Sequence, residues 1–158
     1  MEISEIEKYI GECKSNCIPQ SERAESLNII QSVMYMRDCE RTFCKLSYDE
    51  QVRRGIFTED AYKRECQYTM EDNMAKCAIF LFRLANKCHM NVQSLKLEED
   101  TRNKNFEELV YSMVKISMTH YSIEKKIIIL LGMLCSFCIS EKIDLLWFVN
   151  KRLLINVK

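Results

Sequence analysis

The sequence predicts an all-α protein, a single-domain bundle of about six or seven helices around an apolar central helix at 127–139. Only three glycines and one proline punctuate 158 residues, too little turn chemistry for a many-stranded sheet. The stretches between them are rich in Leu, Met, Glu, Lys and Arg, which suit helices. Apolar residues also recur at helical spacing along most of the chain. One domain, 1–158, accommodates this length with a sizeable core.

A first helix starts near Ser4, with Ile6, Ile10, Cys13 and Cys17 on one face, and Pro19 ends it. A second starts with Ser21 as N-cap and Glu22 and Glu25 in its first turn, where the helix dipole favours acids. Leu27, Ile30, Val33 and Met34 form its expected buried stripe, continued by Met36, Cys39, Phe43 and Leu46. Ser47 and Glu50 make a capping-box pattern for a short further helix, and Gly55 suits its C-terminal stop.

Thr58, Glu59 and Asp60 open what the pattern predicts as the longest helix, running to about Met90. Cys66, Cys77 and Cys88 recur there every eleven residues, close to three full turns, which predicts one shared face. Residues 91–104 lose the periodicity and read as a polar connection, with an acidic cluster at Glu98, Glu99 and Asp100. Phe106, Leu109, Val110, Met113 and Ile116 restart it. Ser122 begins another helix, and Asp144 caps the last one through "LLWFVNKRLL".

The segment "IIILLGMLCSFCI" is apolar on every side except at Ser136, so neighbouring helices must surround it. A bilayer span needs roughly 20 apolar residues, and Lys125–Lys126 and Glu141–Lys142 bracket this run well short of that. Gly132 marks a close helix crossing within it. The start, MEISEIEKYI, lacks the basic-then-apolar layout of a signal peptide. Nine cysteines without a repeating framework then read as reduced thiols in the cytoplasm.

Lys plus Arg and Asp plus Glu each total 23, a balance that argues against nucleic acid as a partner. The basic pairs Arg53–Arg54, Lys125–Lys126 and Lys151–Arg152 are expected at solvated edges. Cys135 and Cys138 form a C-x-x-C, the spacing of thiol redox and zinc sites. Redox chemistry needs an exposed thiolate at a helix N-terminus, and zinc needs two further ligands, from Cys13, Cys17, Cys88, His89 or His120. Late in an apolar helix, both thiols are expected to be inert core members.

All-α nucleotide pyrophosphohydrolases of the MazG and dimeric dUTPase type hold magnesium with E-x-x-E and E-x-x-D turns. This chain carries E-x-x-E at Glu22 and Glu25 and E-x-x-D at Glu141 and Asp144, which makes a diverged enzyme of that type the alternative expectation. Capping is the simpler role for all four. His89 at a helix end and His120 in "MTHYS" have no nucleophile arrangement beside them, and no glycine-rich phosphate loop is present.

The stretches "SVMYMRDCERTFCKLS" and "GIFTEDAYKRECQYTMEDNMAKCAIFLFRLANK" resemble a small all-helical Firmicutes domain of unknown function. In that family a long helix carries a basic–histidine–acidic step, then an apolar stretch and an Asn–Arg pair. Glu71 stands here in place of the histidine, and Phe82 precedes Arg83 in place of the asparagine. The resemblance covers under half of the chain and implies no activity. An apolar central helix ringed by amphipathic ones is also similar in architecture to the Bcl-2-like fold of viral inhibitors, without its Asn-Trp-Gly-Arg motif.

The functional expectation is a non-enzymatic protein that binds another protein, with no cofactor, and antagonises a host pathway for a virus, phage or mobile element. Abundant Met and Cys make adaptable contact surfaces, and a self-complementary apolar stripe would also allow a homodimer.

Overall fold

A computed structural model describes residues 22–39, 59–90 and 105–154, with side chains from residue 25 onward in the first of these. The expected elements around residues 4–19, 40–58 and 91–104 lie outside the described residues.

Six helices and no strand are present among the described residues: α1 (Glu22–Tyr35), α2 (Glu59–Glu65), α3 (Met70–Lys87), α4 (Phe106–Ser117), α5 (Ile123–Ser140) and α6 (Leu145–Leu154). The all-α bundle is therefore as the sequence predicts. The apolar helix α5 packs against α4, α3 and α1, while α3 shares the centre and packs against α6, α5 and α1. No described helix is long and apolar enough to cross a membrane.

Side-chain caps set several boundaries. Ser122 accepts from the Lys125 N–H at 3.2 Å and starts α5; Asp144 accepts from the Trp147 N–H at 3.2 Å and starts α6. Asn105 and Glu108 form a reciprocal capping box on α4.

The long helix expected from Thr58 to Met90 is broken in two. Cys66, Gln67 and Tyr68 form a turn between α2 and α3, and Tyr68 adopts a left-handed φ of 65°. Thr69 is the N-cap of α3: its hydroxyl accepts from the Asp72 N–H at 3.2 Å and donates to the Cys66 carbonyl at 2.6 Å. Local side-chain capping thus wins over apolar periodicity that would carry one helix straight through. Cys66, Cys77 and Cys88 consequently do not share a helix; they sit in the turn, within α3 and at its C-cap.

The expected stripe of α1 holds only in part: Val33 and Met36 are buried as expected, while Leu27 and Met34 are not. Ile29, Val33 and, just beyond the helix, Met36 are buried, together with Glu25. Leu27 and Met34, expected in the core, are 58% and 57% exposed. The helix stops at Tyr35, so Met36 and Cys39 follow it rather than extend it.

Two of the basic pairs are not solvated edges. Lys125 is exposed, but its neighbour Lys126 is 3% exposed and its ammonium lies 3.5 Å from the Ser26 hydroxyl. Arg152 is 6% exposed and bonded to a buried carboxylate. It occupies the apolar stripe of α6, at i+7 from Leu145 and i+4 from Phe148, and so faces the core.

Candidate binding groove between the first and third helices

Three contacts place α1 antiparallel to α3. Glu25 pairs with Lys87 at 2.6 Å at one end, Ser32 hydrogen-bonds Cys77 in the middle, and the Asn73 amide donates to the Tyr35 carbonyl at 3.5 Å at the other. A cleft of about 490 Å³ lies along this seam. Its α1 wall is Asn28, Gln31, Ser32 and Tyr35, a set spaced i, i+3, i+4, i+7. Its α3 wall is Asn73, Lys76, Cys77 and Phe80, spaced identically. Met36, Asp38 and Tyr68 close the end where α1 stops. The volume falls in the range of ligand sites, roughly 300–1,000 Å³.

The groove is chemically mixed. Three side-chain amides each carry both donors and acceptors. Phe80, Tyr35 and Tyr68 supply rings, and Lys76 reaches over the Tyr68 ring at 5.5 Å. Partial burial lowers the Lys76 pKa, with the Arg152 guanidinium acting in the same sense and Asp72 opposing both. Beside the groove, Leu27 and Met34 project from α1 at i and i+7, next to the wall residue Tyr35, and all three are more than half exposed.

Beneath the groove's closed end lies a buried polar hub. The Tyr62 hydroxyl donates to Asp72 Oδ1 at 2.6 Å, and the Arg152 guanidinium donates to the same oxygen. Asp72 Oδ2 accepts from the Tyr68 N–H at 3.2 Å, which fixes the left-handed link. Asp72 thereby ties α2, the α2–α3 turn and α6 to α3. Burial and the adjacent Asp72 carboxylate push the Tyr62 pKa far above the usual phenol value, so it remains a donor.

The sequence-predicted site residues fall elsewhere. Glu22 begins α1. Glu25 is 8% exposed and paired with Lys87. Glu141 is the C-cap of α5, and Asp144 caps α6. Ser26 touches Lys126 near the start of α5, whereas Glu141 ends that helix, and about 22 Å of helix axis separate Lys126 from Glu141 at 1.5 Å per residue. The two carboxylate turns are not brought together, although a shared magnesium requires ligands within roughly 2–2.5 Å of one ion. Among the described residues, no three His, Cys, Asp or Glu side chains form a group able to hold a metal ion.

Cys135 and Cys138 are both buried, 8% and 1% exposed, in the second half of α5. Burial pushes the Cys135 thiol up to about 12, and Cys138 is also raised, by burial and then by the neighbouring Cys135. Cys77 is pushed up to about 11 by burial, partly offset by Ser32. His89 and His120 are exposed, His89 with a left-handed φ of 53° just past the α3 C-cap.

The buried thiols have an alkaline consequence. Unfolded cysteines ionise near pH 9, while folded Cys77 and Cys135 keep their protons to about 11 and about 12. The folded state therefore binds more protons above pH 9, and its stability falls as pH rises, by about 1.4 kcal/mol per unit for each such thiol. Urea unfolding at pH 8, 9 and 10 measures this, and a Cys77→Ala variant should show a shallower fall.

No family model matches the chain, and no curated protein and no solved structure matches it either.

Proposed function

We propose that the chain is a non-enzymatic helical interaction protein that binds another protein through α1 and the groove beside it. The observation that supports this is the exposure of Leu27 and Met34. Both have the helical spacing of core residues, yet α1 already buries a different stripe. The helix thus carries apolar groups on two faces and covers one of them with its own bundle.

Exposed apolar residues scattered singly are ordinary, but a ridge next to a formed cleft has the composition of an interface centre. Other exposed aromatics differ in setting. Tyr111 and Tyr121 each lie under a lysine ammonium, Lys115 at 5.2 Å and Lys125 at 4.0 Å. Such pairs give those rings a local partner.

Site-specific photo-crosslinking in the native host tests the reading. A benzophenone amino acid in place of Met34 should give a discrete adduct of higher mass. The same probe at Ser140, exposed at the far end of α5, should give none. No adduct at Met34, or equal adducts at both positions, would overturn the proposal. An adduct of twice the chain mass would identify a second copy as the partner.

A further inference from the structure

We propose that the groove between α1 and α3 receives an extended peptide segment carrying one acidic side chain, its carboxylate on Lys76 and its backbone on the groove amides. This deepens the partner-binding reading and rests on it. The groove walls run from Asn28 to Tyr35 and from Phe80 to Asn73. Seven residues of helix rise about 10 Å, the span of about three residues of extended chain.

An extended segment brings unpaired N–H and C=O groups into a cleft. Helix walls offer no backbone partners, because their own groups are bonded within the helices. Gln31 and Asn73 are the residue types that substitute: each amide spends one N–H on Tyr35, at 3.2 Å to its hydroxyl and 3.5 Å to its carbonyl, and has a second N–H and a carbonyl besides. Asn73 is 5% exposed, so its amide is held in a fixed place.

Charge selects the side chain. Among the described lining residues Lys76 is the one cation, and it is only partly hydrated. A carboxylate there forms a charge-assisted bond with the Lys76 ammonium. Asp38 stands at the groove's end, just beyond α1. It accepts from a segment N–H and repels a second acid, which restricts the acid to the Lys76 position. Phe80 lies one turn further along and suits an apolar neighbour.

A nucleotide is the competing ligand, because the lining also includes Tyr68, in the left-handed turn before α3, and Asn73 in the first turn of that helix.

The test is nuclear magnetic resonance titration of the isotope-labelled full chain with heptapeptides centred on Leu-Glu-Leu, Leu-Gln-Leu or Leu-Lys-Leu, and with adenosine monophosphate. The Glu peptide should shift the amides of Asn28, Ser32, Asn73, Lys76 and Cys77 and bind about tenfold tighter than the Gln peptide, a difference of about 1.4 kcal/mol. Lys76→Glu should reverse the preference toward the Lys peptide, and Lys76→Arg should keep it, with thermal melts confirming that both variants fold. Equal responses to the three peptides, shifts centred elsewhere, or a stronger response to the nucleotide would overturn the inference. If Lys76→Glu keeps a cellular partner that Leu27→Asp/Met34→Asp loses, the partner reading stands and this inference falls.

Discussion

Replacing Asp72 with alanine should destabilise the fold by about 3–5 kcal/mol, because it removes one partner of a buried ion pair and the acceptor of three hydrogen bonds. Asp72 is fully buried and accepts from three donors on separate parts of the chain: the Tyr62 hydroxyl, the Tyr68 N–H and the Arg152 guanidinium. Removing it leaves a charge with 6% exposure and a buried phenol without their shared acceptor. For a chain of this size that loss lowers Tm by about 6–20 °C. Removing both charges is a different experiment. Asp72→Leu with Arg152→Leu takes away both members of the buried ion pair, and should recover most of the loss. Urea unfolding followed by circular dichroism measures both variants. A cost below about 1 kcal/mol for Asp72→Ala would mean the hub is a surface-like pair.

The second large effect concerns binding rather than stability. Leu27→Asp combined with Met34→Asp should abolish partner binding, lowering affinity by at least about a hundredfold, since a desolvated carboxylate in an interface centre costs several kcal/mol. The same pair should leave the fold intact. Both side chains are more than half exposed, and exposed substitutions usually stay within about 0.5 kcal/mol. Separate behaviour of binding and melting distinguishes a docking face from a packed one.

Much of the bundle was legible because caps and apolar runs are local. Ser122 and Asp144 announce α5 and α6 by chemistry acting over three residues. The apolar segment from Ile127 needs cover whatever supplies it. The missed features depend on groups far apart in sequence or on two local rules in conflict. Thr69 followed three residues later by Asp72 is a readable N-cap signal, but it lies inside an apolar period that also fits one long helix. On α1, both Leu27/Ile30/Met34 and Ile29/Val33/Met36 have helical spacing, so period alone does not choose the buried face. The choice is made by neighbours such as Lys87, which draws Glu25 inward.

Charges on the core stripe were the overlooked clue. Arg152 on the stripe of Leu145, Phe148 and Val149, and Lys126 beside Ile123, Ile127 and Leu130, sit at positions that periodicity assigns to the interior. A cation there implies a partner, and for Arg152 that partner is 80 residues away. The groove was illegible for the same reason. Its two walls are ordinary polar helix positions until α1 and α3 are laid side by side.

As proposed above, α1 is a recognition helix for a partner protein. The most direct measurement is affinity purification of the tagged chain from its native host, beside the Leu27→Asp/Met34→Asp variant, with native mass spectrometry of each eluate. The wild-type chain should elute as a stoichiometric complex and the variant as a bare, folded chain. A bare wild-type chain, or a complex that survives both substitutions, would contradict it.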